Sequence, residues 1–142
     1  MKHDLRHLTA IGTAIFALAA SAQSVKPVEC PTMELVGLKS GEGRLMVAAY
    51  NSAESFLKTP VWSLMVKVEG HAMRIPLCNV SAAEVAITAF QDLNGNNKMD
   101  ANPMGIPTEP YGASGKPAMF GPPTWNDTKV ALSTASPILI KF

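Results

Sequence analysis

Histidine is nearly missing from this sequence: there are three in 142 residues, and two of them, His3 and His7, fall within the first ten. A zinc site needs three or four nitrogen or sulfur ligands. His71 and two cysteines are too few if the cysteines are bridged. A Ser-His-Asp triad would rest on His71 alone, and no G-x-S-x-G elbow is present. A lone histidine in a turn reads as a solvated surface residue. An excess of one charge is missing too. The formal net charge is +1, with no clustered basic face of the kind nucleic-acid binding requires. Nucleic acid is therefore not an expected partner. After the first 20 residues there is no long apolar run, so no membrane span is expected in the remainder. Internal repeats and low-complexity tracts are absent.

What is present begins with an export signal. Lys2 and Arg6 make a basic start, Leu8 to Ala20 is apolar and uncharged, and Ala20-Ser21-Ala22 offers small residues to a signal peptidase. Residues 1–22 are expected to be a removable signal peptide. Residues 23–142 are then a single domain, periplasmic or secreted. Loss of Lys2, Arg6 and Asp4 takes twelve basic and eleven acidic residues to a balanced ten and ten. In an oxidising compartment the even pair Cys30 and Cys78 is expected to form a disulfide; two unrelated buried thiols are the alternative.

Period-two alternation dominates the first half. Thr32 to Leu38, Arg44 to Tyr50, Ser63 to Val68 and Met73 to Val80 each place apolar residues on one face. Pro76 marks the last of these as an edge strand, and Glu69-Gly70-His71 reads as a hairpin turn between the last two. Lys129 to Leu132 and Ile138 to Phe142 return to the same pattern. Ser81 to Gln91 is open to two readings. Ser81 and Glu84 could form a capping box for a helix, but the Val85/Ile87/Ala89 alternation and the β-branched residues favour a strand. Ser52 to Lys58 is the best candidate for a short helix, with Ser52 as its cap. The expected fold is all-β, a single sandwich of about seven strands with Greek-key-like connections. Trp62 and Trp125 are expected at the core or its edge, and the scattered methionines as packing residues.

Residues 92–124 break the pattern. They hold six of the eleven prolines and five of the ten glycines, with no apolar period. Regular structure is expected to be sparse there, and a long Gly/Pro/Asn-rich loop inside a compact domain is usually functional. Its first part, Asp92-Leu-Asn94-Gly-Asn96-Asn97-Lys98-Met-Asp100, spaces oxygens at positions 1, 3, 5 and 9. Hard cations such as Ca²⁺ take six to eight oxygens, and a tight loop brings alternate side chains to one centre. The candidate ligands are Asp92, Asn94, Asn96, Asp100 and the backbone carbonyl of Lys98. Position six is Asn97 and position twelve is Pro103, so this is no EF-hand, and two carboxylates imply weak binding. The same residues also suit a plain turn, because Asn94-Gly95 is a strong hairpin signal and Asx side chains bond their own backbone. Asp92, Asp100 and Glu109 are the one carboxylate cluster from which a hydrolase could be built.

The run Phe90 to Asp100, then Gly105-Ile-Pro107, Glu109-Pro-Tyr-Gly112 and Ser114, resembles the signature of an exported bacterial family, known as the domain of unknown function 2141 family. Phe120 to Pro123, Trp125 to Asp127, the Gly43 to Val47 strand and the closing Ile138 to Phe142 strand resemble it too. That pattern often has His at the position of Gln91 and Gly at the position of Asn97. The resemblance implies a β-sandwich of the transthyretin or carboxypeptidase-regulatory kind, favours a strand at Ser81 to Gln91, and implies no established activity. The expected function is a non-enzymatic exported module that binds an envelope protein or glycan, with a possible Ca²⁺ loop at 92–100. A hydrolase acting on envelope glycans or peptides, and a purely structural domain without ligand, are the alternatives.

Overall fold

The computed structural model describes residues 29–118 and 121–142. The signal peptide expected at 1–22 lies outside the described residues. Eight strands are described: β1 (Thr32–Val36), β2 (Arg44–Tyr50), β3 (Trp62–Lys67), β4 (Ala72–Pro76), β5 (Glu84–Asp92), β6 (Tyr111–Ala113), β7 (Lys129–Ala131) and β8 (Ile138–Lys141). One sheet has the order β4-β1-β8, with β4 antiparallel and β8 parallel to β1. The other has the order β3-β2-β5-β6 and is antiparallel throughout, with β7 also paired to β5. The expected all-β sandwich is what the chain forms, with the chain passing repeatedly between sheets.

The alternation read in the sequence is the physical reason. Met33 and Leu35 of β1, Leu45, Val47 and Ala49 of β2, Val85, Ile87 and Ala89 of β5, and Ile138 and Ile140 of β8 all point into one apolar core. Successive strand residues face opposite ways, so alternate apolar residues make one buried face. β2 and β5, the inner strands of the larger sheet, pair over seven residues, Arg44↔Asp92 to Tyr50↔Ala86. Ser81 to Gln91 therefore resolves as a strand, starting at Glu84. A second cluster joins Tyr50, Phe56 and Ala86, with Trp125 against it. Tyr50 and Phe56 meet edge-on at 5.3 Å between ring centroids, and Phe56 and Trp125 at 6.2 Å. Both tryptophans sit half-buried at a core edge.

Three expectations are corrected. Ser52 to Lys58 is a run of turns, not a helix. Ser52 does cap it, accepting from Ser55 N at 3.2 Å. However, Leu57 takes φ 59, a left-handed conformation that ends the turn. Glu69-Gly70-His71 is not a hairpin, because β3 and β4 belong to different sheets. Val68 is fully buried, and the His71 carbonyl accepts from the backbone N–H of Gly37 and Leu38. The connection thereby crosses to the end of β1, and β4 runs back from there along β1, its Ile75 and the following Leu77 reaching the core. β4 ends at Pro76, short of the expected Val80. Its edge position is the expected one, and Leu77 N turns instead to the Pro31 carbonyl at 2.7 Å.

Residues 92–124 are not without regular structure. β6 lies inside them, and a single helical turn, α1 (Trp125–Thr128), follows directly, capped by Thr124. β6 and β7 lie end to end along β5, against Thr88–Phe90 and Glu84–Ala86. Ile87 falls in the gap between them. Ser114 fills it, giving its N–H to the Ile87 carbonyl and accepting the Ile87 N–H on its hydroxyl, both at 2.9 Å.

One glycine fixes how closely the loop returns to the sheet. Gly43 has φ 56, and a Cβ there would overlap the carbonyl of Asp92 and lie 2.9 Å from the Leu93 Cα. Gly43→Ala combines a left-handed alanine with a backbone clash. It is expected to lower unfolding stability by about 2–3 kcal/mol, read as a shift of the urea midpoint at unchanged slope.

Candidate functional site

The loop leaves the larger sheet at the end of β5 and returns at β6. Its first anchor is Asp92, the last residue of β5, whose side chain is fully buried. One carboxylate oxygen accepts from Gly95 N at 2.7 Å and the other from Asn97 N at 2.9 Å. A buried carboxylate needs such partners, because leaving it unpaired is very costly. Arg44, its register partner on β2, supplies the counter-charge at 3.5 Å. The same guanidinium nitrogen donates to the Gly95 carbonyl and to Asn97 Oδ1, each at 3.0 Å. Asn97 has φ 63, a conformation that asparagine tolerates better than most residues after glycine. Asparagine is therefore suited to this position.

Beyond Asp92 two Asx-turns follow in series. Asn94 Oδ1 accepts from Asn96 N at 3.0 Å, and Asn96 Oδ1 accepts from Lys98 N at 2.8 Å. The two side-chain amides then meet the Asp100 carboxylate, Asn94 Nδ2 at 2.5 Å and Asn96 Nδ2 at 2.9 Å. Glu109 is the second anchor. It is buried, and its two oxygens accept from Leu93 N at 2.8 Å and Asp100 N at 3.1 Å. It thus joins the two ends of the Asp92–Asp100 turn. Thr108 N donates to the Asp100 carbonyl, and a bridge pairs Ala101 with Pro107. The excursion is held by turns and two acid anchors.

The five candidate cation ligands therefore divide. Asn94, Asn96 and Asp100 converge through their side chains. Asp92 has both oxygens committed to backbone N–H groups. Lys98 is exposed, and its N–H serves the second Asx-turn. Among the described residues no group of three or more His, Cys, Asp or Glu side chains is placed to hold a metal. A cation here would depend on amide and carbonyl oxygens. The hydrolase reading needs two carboxylates facing a pocket. Two grooves of the described surface, one lined by Val130 and Leu139 among others and one by Met46, Met65 and Phe90 among others, are lined by none of Asp92, Asp100 and Glu109.

Two residues that hold the loop escaped the sequence reading. Arg44 gives no local signal, since only the β2–β5 register brings it to Asp92. Gln91 is fully buried and donates to the Lys39 and Glu42 carbonyls, both at 2.7 Å, while accepting from Lys39 N. It pins the β1–β2 connection beneath the loop. A glutamine at an inward position of an otherwise apolar alternation was the available cue. His71, exposed and bonded through Nδ1 to the Leu38 carbonyl at 3.0 Å, takes no part.

Cys30 and Cys78 are bridged, and among the described residues no helix is long and apolar enough to cross a membrane. Both facts are compatible with an exported protein. Comparisons with curated proteins and with solved structures gave no match. Residues 33–138 match the family described as "Uncharacterized protein conserved in bacteria (DUF2141)". That span takes in β1 but for Thr32, all of β2 to β7 and the whole anchored loop, and the chain belongs to this family.

Proposed function

We propose that the protein is an exported, non-enzymatic binding module of the bacterial envelope. In this reading its 92–100 turn takes Ca²⁺ weakly and so sets the shape of the excursion offered to a partner protein or glycan. The observation that carries it is the convergence of Asn94 and Asn96 on the Asp100 carboxylate, above a turn already folded by Asp92 and Glu109. An amide oxygen has two lone pairs, so each asparagine can keep its Asx-turn and, by turning its NH2 off Asp100, present the second lone pair to an ion beside that carboxylate. Pre-folding matters because a loop that must order itself on binding loses affinity.

Asp92 is the wrong residue for the test, since its loss would unfold the turn with or without an ion. Asp100→Asn is the informative variant, because it removes charge at the convergence point and keeps the shape. With a Kd of about 10⁻³ M, the weak end of the range for extracellular calcium modules, about 10 mM Ca²⁺ should stabilise the wild type by about 1.4 kcal/mol. That is a rise of roughly 5 °C in melting temperature for a domain this size. Asp100→Asn should cancel the rise, and calorimetry should show heat for the wild type alone. No rise and no heat would leave the turn as a scaffold only, which is the purely structural reading. Against a hydrolase stands the commitment of every Asp92 and Glu109 oxygen to backbone N–H groups.

A further inference from the structure

The outer face of the larger sheet carries a feature unrelated to the oxygen-rich turn. Met46 on β2 lies directly opposite Met65 on β3 and, on its other side, opposite Phe90 on β5. Directly opposed residues of an antiparallel pair share a face, with Cβ atoms about 4.5–5.5 Å apart. Met99, in the loop after β5, lines the same groove of about 380 Å³ as Met46, Met65 and Phe90. Met65 and Met99 are 47% and 41% exposed. A solvent-facing sheet surface has no packing need for methionine, unlike the buried Met33. Three thioethers from two strands and a loop are thus gathered on one open surface.

We propose that this groove is a binding site for a soft monovalent metal ion, Cu(I), held by the thioether sulfurs of Met46, Met65 and Met99. Thioether is a neutral, polarisable ligand that selects Cu(I), whereas calcium and magnesium require oxygen. Flexible methionine arms let the three sulfurs adjust to one centre, and Phe90 lines the same groove, an aromatic ring being a favourable neighbour for a cation. The nearby guanidinium does not bar a cation. Arg44 Nη1 donates to Met65 Sδ at 3.3 Å, but its charge is already matched by Asp92 at 3.5 Å. Met65, 47% exposed, can turn its sulfur off Nη1 while Arg44 keeps its Nη2 bonds to Gly95 and Asn97. Binding involves no electron transfer: Cu(I) enters and leaves as Cu(I). The chemistry is independent of the calcium reading, because it uses sulfur and not the loop oxygens.

The test is an anaerobic Cu(I) titration in competition with a chromogenic Cu(I) chelator, repeated with Ag(I) as a redox-inert probe. One equivalent should bind, with the ε-methyl ¹³C resonances of Met46, Met65 and Met99 shifting and that of Met104 unmoved. Met65→Leu and Met99→Leu, at exposed and tolerant positions, should each weaken binding about tenfold or more, the loss of roughly one ligand's contribution. Met104→Leu should change nothing, its side chain being 82% exposed and outside the groove. Thioethers do not titrate, so affinity should persist from about pH 7 to pH 5, where a histidine site, with a free pKa of about 6.5, would weaken. Failure to compete for the ion, affinity unchanged when Met46, Met65 and Met99 are all replaced by leucine, or a steep loss across that pH range would each overturn the assignment.

Discussion

Replacing Cys30 and Cys78 together by serine, or reducing the bridge, is expected to cost the protein about 4 kcal/mol of unfolding stability. The bridge closes a loop of 48 residues, and chain entropy for that length, at about 25 °C, gives a figure near 4 kcal/mol. The position of the crosslink makes the estimate credible. β1 and β4 pair in the register Thr32↔Pro76 to Val36↔Ala72. Carrying that register two residues further brings Cys30 opposite Cys78, and their Cα atoms are 4.7 Å apart, close to the spacing of a non-hydrogen-bonded antiparallel pair. The crosslink therefore extends an existing ladder. It also fastens an outer strand whose last residue, Pro76, has no N–H to give to a ladder. Domains of this kind have about 5–15 kcal/mol in total, so the reduced protein should be marginal near 37 °C. Urea unfolding with and without reductant measures the difference. A loss under about 1 kcal/mol would mean that burial of Ile75 and Leu77 holds β4 unaided.

How much of this fold could be read in the amino acids depends on the range of the forces involved. β2 was legible to the residue, because Leu45, Val47 and Ala49 alternate with half-buried neighbours and Gly43 marks the entry. β5 was legible once alternation was weighed against its capping-box start. Which sheet a strand joins was not. Alternation states that a face is buried and is silent on the partner strand, so the β3–β4 connection looked like a hairpin when it is a crossover. β6 was missed because three residues carry no period. Its Gly112 is needed only because a Cβ would come 2.5 Å from the Lys141 carbonyl, a contact made by a distant segment. In the loop the sequence revealed the oxygen spacing, since Asx-turns are local. It concealed the division of labour, since that follows from Arg44 and Glu109 arriving from elsewhere. The methionine groove was illegible for the same reason: Met46, Met65 and Met99 are scattered in the chain and meet only through the β2–β3 register and the return of the loop.

Within the loop the largest effect is expected at Asp92. Asp92→Ala would leave Gly95 N and Asn97 N without acceptors and Arg44 without its counter-charge. Removing one member of a buried ion pair costs about 3–5 kcal/mol. Arg44 is 38% exposed and can turn to water, which places the expected loss at the lower end, about 3 kcal/mol. Asp92→Asn keeps one acceptor and sets an amide donor against a backbone N–H, so it should lose roughly half as much. Glu109→Gln poses the same conflict at Leu93 N and Asp100 N, and should loosen the turn with less effect on the sheet. Amide hydrogen exchange separates these outcomes. Asp92→Ala should abolish protection at Gly95 and Asn97 and lower it along β5 and β2, because Asp92 belongs to both the strand and the turn. Glu109→Gln should act on Leu93 and Asp100 alone. Equal, loop-confined loss in both variants would show that the turn hangs on the sheet without supporting it. The Arg44–Asp92 pair would then be an ornament of the register and not the joint between sheet and loop.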